Sequence, residues 1–124
     1  MWLSQDEFDD LVVDAIEGLP GEIREMLDNV EVMTDDWPSA DLLESVGVAP
    51  GGTLLGLYEG VPKTSRTSDY GMVLPDRITI FRGPIQASCR TAAEVRAEVR
   101  HTVVHELAHH FGIDDDRLVD LGAY

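Results

Sequence analysis

The chain has 124 residues, with 24 acidic against nine basic side chains and a formal net charge of −15. That length suits a single domain over residues 1–124, able to bury about two thirds of the surface its unfolded chain exposes. The charge argues against a nucleic-acid partner, whose phosphates need a positive face, and mildly favours basic or neutral peptides over acidic ones. No apolar run approaches the roughly 20 residues that cross a bilayer, and the opening Met1-Trp2-Leu3-Ser4-Gln5-Asp6 lacks a basic segment followed by an apolar one. Cys89 stands alone, which rules out an intramolecular disulfide and suits a reducing compartment. A cytoplasmic monomer with no membrane contact is expected.

Residues 5–18 place Phe8, Leu11, Val12, Ala15 and Ile16 at helical spacing before Gly18-Leu19-Pro20-Gly21 breaks the pattern. Residues 22–29 predict a second short helix carrying Ile23, Met26 and Leu27, and the alternation Val30-Glu31-Val32-Met33-Thr34 predicts a strand. Asp35-Asp36-Trp37-Pro38 reads as a solvated turn rather than an ion-binding cluster, because turn-forming residues surround the aspartates. A brief helical pattern spans residues 41–46, Pro50-Gly51-Gly52 marks a turn, and residues 53–58 and 77–82 read as two strands. Between them residues 59–76, rich in Ser and Thr and holding Lys63 and Arg66, exceed ordinary loop length at about 18 residues. In the second strand Ile78 and Ile80 share one face, with Thr79 and Phe81 on the other.

Thr91 with Glu94 forms a capping-box pattern. From Ala92 the residues Val95, Val99, Val103, Leu107 and Phe111 recur every four positions, predicting a helix of about 20 residues, or roughly 30 Å, with one side on the sheet. Helices first, strands next and a long helix last give an α+β class: a long helix packed on a small, mostly antiparallel sheet, with additional N-terminal helices.

The long helix also carries the chemistry. In His105-Glu106-Leu107-Ala108-His109 the histidines lie four apart, one above the other on one helix face, so both can reach one ion while Glu106 stands about 100° around the axis. Catalytic zinc needs at least one further protein ligand, with water in the open position. Gly112 can take the left-handed conformation that ends a helix, sealed by Ile113 against Leu107 or Ala108. The reversed chain can then return a carboxylate. Asp114, Asp115 and Asp116 are all at hand, and either Asp114 or Asp116 can instead cap a short helix beginning near Arg117.

The run HELAHHFGIDD (residues 105–115) resembles the HExxHxxGxxD form of the zincin metallopeptidase motif, with every motif position filled. LYEGVPKTSR (57–66) and LPDRITIFRGPI (74–85) look like segments of a family of small bacterial, minimal zincin-like metallopeptidases. The resemblance covers residues 54–122 and implies a zincin-like fold with His105, His109 and Asp115 as ligands of Zn2+, Glu106 as general base, Gly112 as the turn and a peptide or protein as substrate. The strand at 77–82 resembles the zincin strand that pairs with extended substrate beside the active-site helix; an exposed edge there could accept a peptide, and an interior or capped strand is the equal alternative. Unlike the metzincins, the chain holds no methionine after the motif.

The remaining candidates have blander readings. His101 reads as a surface or supporting group, His110 as facing water, and Cys89 as a small buried apolar side chain. Tyr58, Tyr70, Tyr124 and His110 are all conceivable donors to a developing oxyanion. Two other functions compete with a zinc peptidase. One is a non-catalytic module whose zinc only ties the long helix to the segment after it. The other is a different metal hydrolase such as a ribonuclease, against which the acidic balance counts.

Overall fold

Ser4 opens the first helix, α1 (Gln5–Glu17), with a complete capping box: its hydroxyl accepts from the Glu7 amide and its own amide donates to the Glu7 carboxylate. Phe8, Val12 and Ala15 are the buried face, as their spacing predicts. The computed structural model describes residues 2–49, 51–60 and 75–122. Most of the long connection expected at 59–76, with Lys63, Arg66 and Tyr70, lies outside the described residues, as does Tyr124.

A short helix, α2 (Gly21–Met26), buries Ile23 and leads into strand β1 (Val30–Asp35), whose residues alternate between half-buried and exposed. Helix α3 (Ala40–Ser45) is capped by Ser39. Strand β2 (Gly56–Glu59) is shorter than the expected 53–58, although the Leu55 carbonyl still accepts from the Phe81 amide. Strand β3 (Asp76–Phe81) ends one residue early, because Arg82 starts a six-residue helix, α4 (Arg82–Ala87), that the sequence reading lacked. Pro84 in its first turn loses no helical hydrogen bond and has its φ already set.

The α+β class and the long helix are as expected; the direction of the sheet is not. Strand order is β1-β3-β2, with β1 parallel to β3 from Val30↔Asp76 to Asp35↔Phe81 and β2 antiparallel to it from Gly56↔Ile80 to Glu59↔Arg77. The sheet is therefore mixed, and the parallel pair is the longer one. Alternation along a strand reports which face is buried and carries no information about a neighbour's direction. The same order puts β3 in the centre, with Ile78 and Ile80 at 0% exposure, so the strand at 77–82 offers no edge to a substrate. The edge nearest the long helix belongs to β2.

That helix, α5 (Ala92–Phe111), packs on β2, β3 and α1 and buries Val95, Val99, Val103 and Leu107. Residues four apart drift about 40° around a helix at each step, and the buried stripe widens to include Val104 and Ala108. Phe111, the last of the row, is 49% exposed rather than buried. Helix α6 (Asp115–Asp120) follows and returns Leu118 to the core. Among the described residues no helix is long and apolar enough to cross a membrane.

Candidate metal centre

Both ends of α5 are fixed by local chemistry. Thr91 accepts from the Glu94 amide at 3.1 Å, and its hydroxyl donates to the Glu94 carboxylate at 3.1 Å, so Glu94 answers the cap through the hydroxyl. At the other end Gly112 takes φ +68° and ψ 31°, and the Ile113 amide reaches the Ala108 carbonyl at 2.8 Å. Nothing within 4 Å would meet a Cβ at Gly112, so the requirement for glycine there is its left-handed backbone alone. Ile113 packs against the core, which completes the expected sealed turn.

The turn delivers Asp114 as the cap of α6, its carboxylate accepting from the Arg117 amide at 2.9 Å. That occupies one of the three candidate aspartates and leaves Asp115, in the first turn of α6, exposed. Asp115 is not among the residues lining the groove that holds His105 and His109. Among the described residues no three His, Cys, Asp or Glu side chains converge as a metal group.

His105 and His109 do share a face and a groove. Their ring centroids stand 6.5 Å apart, whereas a tetrahedral zinc ion held by both imidazoles would bring them to roughly 5 Å. Both rings are exposed, so closing that gap disturbs no core packing. Two imidazoles on adjacent turns are donors suited to zinc, and to that extent His105 and His109 fit the ion, while the structure brings no third ligand to them among the described residues.

Glu106 lies between the two faces of α5, half-buried, beside the groove. Burial pushes its carboxyl above the usual carboxylate range, opposed by His105, by His109 and by a hydrogen bond from the Tyr58 backbone. A carboxylate that partly resists ionisation is a better proton acceptor than a free one.

The groove has a volume of about 810 Å³ and runs between α5 and the chain from Thr53 to Tyr58. All four histidines of the sequence line it. His110 does not simply face water as the sequence suggested. Its ring stacks on Tyr58 at 3.9 Å and 16°, and its Nε2 lies 3.8 Å from Asp76 Oδ2. Asp76 is 6% exposed and accepts from the Tyr58 hydroxyl at 2.5 Å, so that hydroxyl is committed to Asp76 rather than offered to an oxyanion. His101 matches its surface reading, 62% exposed and 6.0 Å from the His105 ring. Cys89 is half-buried against the core, its thiol pushed up by burial, and takes no part in the groove.

Two residues escaped the sequence reading. Asp76 carried no signal beside Pro75. Gly56 did, since a glycine inside an apolar strand marks close approach of another element; a Cβ there would come 2.6 Å from Thr102 Cγ2 on α5.

Known proteins share both the sequence pattern and the fold. A family model described as zincin-like metallopeptidase matches residues 27–123. Among solved structures, a conserved hypothetical protein from Thermo thermophilus is similar at 26% identity with a TM-score of 0.56, over 88% of this chain and 94% of that one. No curated protein matches.

Proposed function

The chain belongs to the zincin-like metallopeptidase family, and from that premise we propose that it is a zinc-dependent peptidase. The observation that carries the reading is the placement of Glu106, half-buried with a raised carboxyl, between two exposed imidazoles one helical turn apart at a groove. His105, His109 and Asp115 would hold the ion. When bound, zinc supplies polarisation of the scissile carbonyl and a water whose pKa is lowered toward about 7.

The residues of the chain do the rest. The outer edge of β2 lines the groove and offers backbone groups to an extended peptide. Glu106 takes the proton from the attacking water as its oxygen bonds to the carbonyl carbon. It then passes that proton to the amide nitrogen as the C–N bond breaks, leaving a carboxylate and a free amine. The stacked Tyr58 and His110 form a rigid wall beside it. The reading takes a peptide or protein, not nucleic acid, as substrate, and a cytoplasmic monomer as the working form.

A purely structural zinc has less to explain in this fold. Ile113 and Leu118 packed in the core, and Asp114 capping α6, already tie the C-terminal segment to α5. The test is Glu106→Gln measured on zinc-loaded protein. Retained zinc with hydrolysis reduced by about 10²–10⁴-fold is expected for loss of a general base; unchanged hydrolysis would falsify the assignment.

A further inference from the structure

The histidine row on α5 is longer than the motif. His101, His105 and His109 stand four residues apart, each about 40° around the axis from the last, and all three line the same groove. Two overlapping pairs therefore share His105. The rings of the motif pair, His105 and His109, are 6.5 Å apart and inclined at 54°, whereas those of His101 and His105 are 6.0 Å apart and inclined at 38°. The pair outside the motif is thus nearer to the roughly 5 Å at which two imidazoles hold one tetrahedral ion.

His101 also has the support that a metal-bound imidazole needs on its other nitrogen. Its Nδ1 faces Glu98 Oε1 at 3.9 Å. A carboxylate in that place accepts from Nδ1–H, fixes the tautomer and leaves Nε2 as the ligating atom. The gap is too long for a hydrogen bond as it stands, but the His101 ring is 62% exposed, so a small rotation closes it without disturbing the core. Glu98 and Glu106 are the carboxylates of the groove, and no Lys or Arg among the described residues lines it, so the field along this wall favours a cation.

We propose that His101 and His105 form a second site for a zinc ion, with Glu98 orienting His101. One imidazole nitrogen holds one ion at a time, so the two sites exclude each other. The proposal takes the motif pair from the peptidase reading and adds an alternate place for the same ion, about 6 Å nearer the start of α5. An ion there has left His109 and moved one turn away from the pair that brackets Glu106. Zinc in that place is bound but idle, and removal of His105 empties both sites.

The experiment is a calorimetric zinc titration of protein stripped of metal. Wild type, His101→Ala and His109→Ala are compared, with thermal unfolding showing that each is folded. Wild type is expected to take one zinc per chain, because His105 is shared. His109→Ala should still take one zinc, more weakly, and adding Glu98→Gln or His101→Ala to it should weaken that binding by about 10–100-fold. Asp10→Asn, which changes net charge equally on exposed α1, should not. No zinc on His109→Ala, zinc there that is indifferent to Glu98 and His101, or two ions on one wild-type chain overturns the proposal. If His109→Ala takes none while wild type and His101→Ala each hold one, the peptidase reading stands without the second site. Zinc that survives His109→Ala undiminished and is lost from His101→Ala does the reverse, keeping the second site and removing the motif pair on which the peptidase reading depends.

Discussion

The two faces of α5 make opposite use of one backbone. Val95, Val99, Val103 and Leu107 are each at most 1% exposed, and there the requirement is volume: an apolar side chain that fills the space against α1 and the sheet. On the other side His101, His105 and His109 are exposed, contribute no core area, and are constrained only by donor chemistry and helical spacing. Leu107 and Glu106 sit between the same two histidines, so a residue's consequence follows its direction from the axis and not its distance from the motif.

Leu107→Ala tests that separation most severely. Truncating a fully buried leucine costs about 2–5 kcal/mol, and thermal unfolding of metal-free protein should show it plainly. His105→Ala, two positions away, should stay within about 0.5 kcal/mol of wild type in the same assay while losing zinc in elemental analysis. If both variants lose stability alike, the two faces are not energetically distinct.

The turn after α5 provides a smaller effect and a sharper contrast. Gly112→Ala forces a Cβ into the left-handed region at φ +68° and should cost about 1–2 kcal/mol. Asp114→Ala removes a helix cap and should cost about 1 kcal/mol with zinc content unchanged. Asp115→Ala should do the opposite, lowering zinc retention while metal-free stability shifts by no more than about 0.5 kcal/mol, as for a surface substitution. Zinc retention that falls in Asp114→Ala and persists in Asp115→Ala would exchange their roles.

Much of this was legible because it is periodic or local. The buried row on α5, the Thr91 end and the left-handed Gly112 all follow from spacing and conformational preference within a few residues, and the same local rule accounts for the Ser4 and Ser39 caps that the structure adds. The choice of Asp114 as cap was open in the sequence and is decided by a hydrogen bond from the Arg117 amide. What escaped depends on contacts between distant segments. The parallel pairing of β1 with β3, the central place of β3, and the stacking of His110 on Tyr58 beside buried Asp76 are set by how elements meet. Single-strand patterning cannot encode them.

The smallest effect probes the residue that belongs to both faces. Glu106 has a carboxyl raised by burial in the fold, whereas in the unfolded chain it titrates near the ordinary value of about 4.3. Between those two values the native state binds more protons than the unfolded one, so stability falls as pH rises through this window. The burial penalty is absent below the unfolded pKa and complete above the folded one. Glu106→Gln removes the charge, so the metal-free variant should melt above wild type at about pH 7 and level with it near pH 4. Partial exposure of the side chain keeps the gain small. A variant that melts lower at neutral pH, or by an equal margin at both, would show that Glu106 is at ease in its place. A gain confined to the higher pH would mean that the same carboxylate needed as a base costs the fold stability whenever no cation faces it.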